Sequence, residues 1–317
     1  MHELSTAASA PPVAIGPSAT YSALMIRPAA LHAVRFSITN LQAWAPGVTT
    51  LDEWQEWARG DRTIEHIGEP ALQQMPPMLR RHAGRLGRLA CSPAYDTLGD
   101  LRDVPVVFSA RYGEVSRSVD LLTALSAGEE LSPTTFGLSV HNAVPGLFSM
   151  ARKETANSIS LSAGDDCAEY GVIEACGLLA DGAAQVLLLV ADCPLPQIYQ
   201  GYEDTEPFAY GWSCLIKPPS VDILTLSWLD EGKVDLPFTN SLPGALAALP
   251  VLLGESNEIT RSSAVGQSVS SDTKLSPQIG QNVFSDTKLS PQIGQNVSSD
   301  TKLNPLPHRV WHWSRNA

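Results

Sequence analysis

The sequence predicts an α/β fold, and three stretches carry the prediction. Residues 157–192, NSISLSAGDDCAEYGVIEACGLLADGAAQVLLLVAD, read as strand, tight turn, buried helix and strand. Ile159 and Leu161 alternate with polar residues, Ala163-Gly164 make a small-residue turn, Val172, Ala175, Cys176 and Leu179 recur at helical spacing, and Val186 to Val190 form a continuous apolar run. A second strand, VPVVFS at 104–109, leads through Arg111-Tyr112-Gly113-Glu114 into a helix with apolar Val115, Val119, Leu122 and Leu125. The third stretch is a pair of apolar runs, Ala209 to Ile216 and Val221 to Trp228, around a Lys217-Pro218-Pro219 turn, which reads as a hairpin finishing a sheet.

Upstream, residues 1–34 are rich in Ala, Pro and Ser without sustained periodicity and read as a poorly ordered extension. Val34 to Ile38 alternates like a strand, AWAPG at 43–47 turns the chain, and Thr50 with Glu53 gives a capping box for a helix carrying Trp54 and Trp57 on one face. In MPPMLRRHAGRLGRLA, residues 75–90, Met75, Leu79, Leu86 and Ala90 make one stripe and Arg81, Arg85 and Arg88 another, the pattern of an amphipathic helix weakened by Gly84 and Gly87. After the helix of residues 165–180, the strand ending at Asp192 is stopped by Pro194 and Pro196. Residues 266–307 are three near-identical copies of a 14-residue repeat, GQSVSSDTKLSPQI, GQNVFSDTKLSPQI and GQNVSSDTKLNPLP, too short and too polar for a solenoid. They read as a flexible, disordered insertion, so 255–307 is expected to be a linker, 35–254 one domain, and 308–317, with Val310-Trp311-His312-Trp313, a strand that returns to it.

Composition narrows the function. The 317 residues are 44% hydrophobic, enough for a sizeable core, and a net charge of -12 with only 21 Lys and Arg excludes non-specific nucleic-acid binding through counterion release. Five scattered cysteines, Cys91, Cys167, Cys176, Cys193 and Cys214, form no CxxC pair and imply neither a zinc site nor a disulfide framework. No run approaches the roughly 20 apolar residues of a membrane helix, and the N-terminus lacks the basic start and apolar core of a secretory signal. A cytoplasmic protein without metal or cofactor is the expectation.

The strand-turn-helix at 157–192, preceded by VFSARYGE and by SVHNAVPGLFSMARKE, resembles the N-terminal half of β-ketoacyl synthases, and more closely the chain-length-factor-like proteins of aryl-polyene pigment clusters. AWAPG, MPPMLRR, SARYGE, SPTTF and SVHNA carry the likeness in order from about Val34 to Asp192, and Trp311-His312-Trp313 extends it at the C-terminus. The resemblance implies a thiolase-like half-fold, a mixed sheet flanked by helices. It implies as partners a ketosynthase subunit, in a heterodimer, and an acyl carrier protein. In an active ketosynthase a cysteine opens the buried helix, whose positive end lowers the thiol pKa, and two histidines in the second half assist decarboxylation and condensation.

This chain departs from that pattern twice. Matching Glu174-Ala175 to the family's helix places the nucleophile position at Gly164 or Asp165, so Cys167 comes two to three residues late, turned by roughly 200–300° at 100° per residue. Asp165 and Asp166 would repel a thiolate and are accounted for as N-caps, with the helix beginning at one of them. Of the seven histidines only His308 and His312 lie beyond Asp192. The expected function is therefore a non-condensing, chain-length-factor-like subunit in type II fatty-acid or polyketide synthesis of an aryl-polyene pigment, with Asn142, Gly164, Asp165 and Asp166 at a pocket or interface. Two alternatives stand beside it: an acyltransferase or thioester hydrolase using Cys167 or Ser139, with His141 as candidate base, and a scaffold that docks carrier protein through Arg81, Arg85 and Arg88. Ser139 and His141 are two apart, which on a helix puts them on different faces.

Overall fold

The computed structural model describes residues 32–231, 242–264 and 308–316. Its strands are β1 (His32–Trp44), β2 (Val106–Ser109), β3 (Ser158–Leu161), β4 (Val186–Asp192), β5 (Tyr210–Lys217), β6 (Ile223–Glu231), β7 (Glu258–Ala264) and β8 (His308–Asn316). They form one mixed sheet in the order β3-β2-β4-β5-β1-β6-β8-β7. β2 is parallel to β3 and to β4, and the remaining pairs are antiparallel.

β1 joins the two parts of the sheet. Its first residues, His32 to Phe36, pair with β6, and Ser37 to Trp44 pair with β5, with a register irregularity between Thr39 and Gln42. At that irregularity Asn40 has φ 54°, and its carbonyl accepts from Thr97 Oγ1 at 3.0 Å while its amide donates to the Thr97 carbonyl at 3.2 Å. The hairpin expected from the runs at 209–228 is thereby corrected: β5 and β6 are not neighbours, because β1 lies between them, and β8 and β7 continue the sheet beyond β6. A turn signal fixes a reversal of direction but not adjacency, and the 13-residue β1 is long enough to pair on both sides.

Helices cover both faces. On one side lie α1 (Leu51–Arg59), α7 (Cys167–Ala180), α8 (Gly244–Ala247) and α9 (Leu249–Leu252); on the other, α3 (Arg85–Leu98) and α6 (Ala143–Arg152). β4 shows why its sequence is a continuous apolar run: Val186, Leu188 and Val190 enter the core with α7, while Leu187, Leu189 and Ala191 enter the core with α3. The α7 core also takes in Leu224, Leu226, Trp311 and Trp313 from β6 and β8, so this helix is enclosed by both parts of the sheet. α1 has the capping box expected at Thr50 and Glu53, with Trp54 buried against Trp57 at 5.3 Å between ring centroids.

Three further expectations need correction. The helix over 75–90 is broken into α2 (Pro77–Arg80) and α3, because Gly84 is extended at ψ -178° and sits at the N-cap of α3. The linker over 255–307 is too long by its first residues, since β7 pairs along its length with β8; the repeats at 266–307 lie outside the described residues. The extension over 1–34 overruns the start of β1 at His32, its residues 1–31 lying outside the described part. Between β2 and β3, α4 (Val115–Ser126) and α5 (Pro133–Gly137) bury no residue, leaving Leu122, Leu125 and Phe136 57%, 58% and 63% exposed. No helix among the described residues is long and apolar enough to cross a membrane.

Candidate functional site

The strand-turn-helix places its elbow at the C-terminal end of β3, where Gly164 takes φ +58° and residues Gly164–Asp166 form a 3-10 turn ahead of α7. Asp166 stands at the N-cap, but its side chain makes no capping hydrogen bond, and the helix begins at Cys167. The expectation that Asp165 and Asp166 serve as N-caps is corrected: both carboxylates turn instead to a cation from the far part of the sheet. Arg261 of β7, its side chain 1% exposed, donates Nη1 to Asp165 Oδ2 at 3.0 Å, Nη2 to Asp166 Oδ1 at 2.7 Å and Nε to Glu169 Oε1 at 2.9 Å. Its Nη2 also donates to the Asp165 carbonyl at 2.6 Å. The remaining lone pairs are used as well. Ser263 Oγ donates to Asp166 at 2.7 Å, Trp313 Nε1 to Glu169 at 3.0 Å, and the Gly244 backbone N–H to Asp165 Oδ1 at 2.7 Å.

Gly244 is required there, since a Cβ would lie 2.1 Å from Arg261 Nη2 and 2.3 Å from the Asp165 carbonyl oxygen. Burial raises the pKa of Asp166 and of Glu169 above the ordinary carboxylate range, and Arg261 opposes the shift in both. The arrangement is a buried ionic lattice with hydrogen bonds at each carboxylate, the condition under which buried charge is tolerated.

A second arginine approaches the same elbow from β2. Arg111, its side chain 3% exposed, places Nη1 3.9 Å from Asp165 Oδ1 and Nε 3.7 Å from Asp192 Oδ2, and it bonds Thr205 Oγ1 at 2.7 Å and the Asp204 carboxylate. Burial pushes Asp192 up to about 7 despite Arg111 beside it. Thus Asp165 has an arginine on each side.

Cys167 is 1% exposed, and its Sγ accepts from the Ala163 N–H at 3.3 Å. Burial pushes the thiol up to about 12, so at neutral pH almost none is thiolate. His141 does not meet Cys167 or Ser139: its Nε2 is 2.8 Å from the Leu161 carbonyl and its ring lies against Phe108. Ser139 Oγ donates to the Phe136 carbonyl at 2.8 Å, and Asn142 is exposed at the N-cap of α6 without a side-chain cap. Among the described residues no group of three His, Cys, Asp or Glu side chains is placed to hold a metal ion.

The basic stripe is divided. Arg85 donates to the carbonyls of His66 and Gly68 and Arg88 to those of Pro70 and Ala71, so both fasten the preceding loop, while Arg81 is exposed at the end of α2. Sequence reasoning missed Arg261, Arg111, Glu169 and Trp313. Glu169 carried a signal, as a carboxylate one turn after Asp165 on a helix otherwise apolar on its inner face; its partner is 92 residues away and has no local signature.

No protein with a curated description matches the sequence. The structure is similar to the ketosynthase ApeO in complex with its chain length factor ApeC from Xenorhabdus doucetiae, with a TM-score of 0.66 and 24% identity over 89% of this chain and 100% of that one. The ishigamide ketosynthase/chain length factor follows at a TM-score of 0.48 and 16% identity over 70% and 74% of the two chains. A β-ketoacyl synthase from Burkholderia phymatum STM815 gives 0.49 and 12% over 63% and 65%. The first likeness is one of fold, thiolase-like, with the mixed sheet and its enclosed helix. The model of the β-ketoacyl synthase N-terminal domain matches residues 54–263, and with two thirds of its length inside that match the chain belongs to the β-ketoacyl synthase N-terminal domain family.

Proposed function

We propose that this chain is a non-condensing, chain-length-factor-like subunit that pairs with an active ketosynthase and shapes the acyl tunnel in type II fatty-acid or polyketide synthesis, here of an aryl-polyene pigment. The observation that carries the reading is Asp165. Of the two positions matched to the family's nucleophile, Gly164 has no side chain to react and Asp165 is a carboxylate tied to Arg261 with Arg111 on its other side, so neither supplies a thiolate. Cys167 lies inside the first turn of α7 with its thiol pushed up to about 12, which argues against the acyltransferase or hydrolase alternative, as does the separation of Ser139 from His141. Pairing is supported by β3, which has only β2 beside it among the described strands, and by the exposed Leu122, Leu125 and Phe136 on the segment leading to it. The complex of a ketosynthase with its chain length factor, to which the fold is similar, is the pattern for that assembly. Arg81 and Arg85 are the exposed members of the basic stripe and the residues we assign to carrier-protein docking, with Arg85 and Arg88 also holding the preceding loop.

The test is co-expression with a ketosynthase of an aryl-polyene pathway. A stable heterodimer on native mass spectrometry, with condensation of acyl- and malonyl-carrier-protein substrates only when both chains are present, is the expected result. Condensation by this chain alone, lost on Cys167→Ala, overturns the reading.

A further inference from the structure

β4 and β5 are adjacent antiparallel strands whose ladder ends at the pair Asp192 and Tyr210. Two residues suffice to join strands in that relation. The chain instead makes a long excursion over 193–209, containing one 3-10 turn at Gln197–Tyr202, and connections of this length in compact domains are uncommon and usually functional. Its interior bonds are local: Leu195 N–H to Glu203 Oε1 at 2.5 Å, Tyr199 N–H to the Pro196 carbonyl at 2.7 Å and Glu203 N–H to the Gln200 carbonyl at 3.1 Å. Its outward surface is partly apolar, with Ile198 and Tyr202 exposed.

Arg111 reaches this excursion from below. Its Nε faces Asp192, its Nη1 donates to Thr205 Oγ1 and lies 3.9 Å from Asp165 Oδ1, and its Nη2 bonds the Asp204 carboxylate. The Nε atom is buried without a hydrogen-bond partner, 3.7 Å from Asp192 Oδ2, while both Nη atoms bond the excursion. We propose that residues 193–209 are a strap closed across the N-terminal end of α7 and fastened there by Arg111, and that Cys167 becomes accessible when Asp204 and Thr205 are released. The strap is independent of whether the chain condenses substrates; it concerns what covers the elbow.

The test releases the strap from its exposed side. Asp204→Ala with Thr205→Val removes both bonds from Arg111 while leaving Arg111 with Asp192 and Asp165, and Arg111→Gln is the complementary variant. In the full chain, backbone hydrogen exchange over 194–208 and iodoacetamide labelling of Cys167, read by mass spectrometry, should both accelerate by about tenfold, the lower end for a hydrogen bond to a charged group with one partner partly exposed. An unchanged melting temperature of the double variant separates strap release from global unfolding. Unchanged exchange over 194–208 in the double variant overturns the fastening, and faster exchange with unchanged labelling of Cys167 overturns the closure of the elbow.

Discussion

Replacing Arg261 by Met keeps much of the side chain's volume and takes the cation out from among Asp165, Asp166 and Glu169. The loss is set by what stays behind. Asp165 keeps the Gly244 N–H and a partly solvated face, Asp166 keeps Ser263 Oγ, and Glu169, 0% exposed, keeps only Trp313 Nε1 from outside its own helix. Breaking a buried ion pair by removing one partner costs about 3–5 kcal/mol, and the retained donors place this case near about 4 kcal/mol. For a domain of this size that is a fall of roughly 10 °C in melting temperature. The loss should also depend on pH in a defined sense. Without Arg261 the charged forms of Asp166 and Glu169 are opposed by burial, which already raises both, and by the neighbouring carboxylates. Folded pKa values above the unfolded ones mean that the folded state binds more protons, so the variant gains stability as pH falls and the gap to the parent protein narrows. Urea titrations of both proteins at about pH 8 and about pH 5.5 measure this. A gap under about 1 kcal/mol at the higher pH, or an equal gap at both, would refute the view that this lattice holds α7 to β7.

Asp192→Asn should flatten the pH dependence of stability, because a carboxylate raised from 3.8 to about 7 makes the parent protein lose stability as pH rises through that interval; denaturant midpoints across it provide the measurement. Gly113→Ala should destabilise by about 2 kcal/mol or more, since Gly113 has φ +59° and a Cβ would come within 2.3 Å of His141 Nδ1; differential scanning calorimetry reads the loss. Replacing residues 265–307 by a two-residue Asn-Gly turn should leave the melting temperature within a few degrees, because Ala264 and His308 are direct partners in the β7–β8 ladder and need only a tight turn between them. A large fall in that melting temperature would mean that residues 265–307 contribute to the core.

Local pattern carried part of this fold and long-range pairing the rest. The β3-turn-α7-β4 unit was legible because its periodicity changes from alternating to helical to continuously apolar within 36 residues, and each change reflects how many faces are buried. The capping box at Thr50 and Glu53 was legible because its two bonds close within four residues. The insertion of β1 between β5 and β6 was not, since its partners are more than 160 residues downstream and the Lys217-Pro218-Pro219 turn is equally compatible with a hairpin. The division of Met75 to Ala90 turned on the backbone of Gly84, a residue as compatible with a weak helix as with a helix boundary.

The acidic elbow shows the same limit in its chemistry. Asp-Asp ahead of a helix is the ordinary composition of an N-cap, and nothing local distinguishes capping from ion pairing. What distinguishes them is Glu169. A carboxylate on the buried face of α7 requires a buried cation, and one cation close enough to reach it also lies within reach of Asp165 and Asp166, drawing their side chains away from the backbone N–H groups of the first turn. The helix starts at Cys167 with Asp166 at the N-cap, but no side chain caps its first turn, and the thiol lies in the interior. One arginine on β7 thus gathers the three carboxylates at the start of α7 and ties that helix to the C-terminal strands. An elbow organised in this way has its charges committed to holding the two parts of the sheet together, which is why placing a thiol there by Asp165→Cys should weaken the fold before it produces a condensing enzyme.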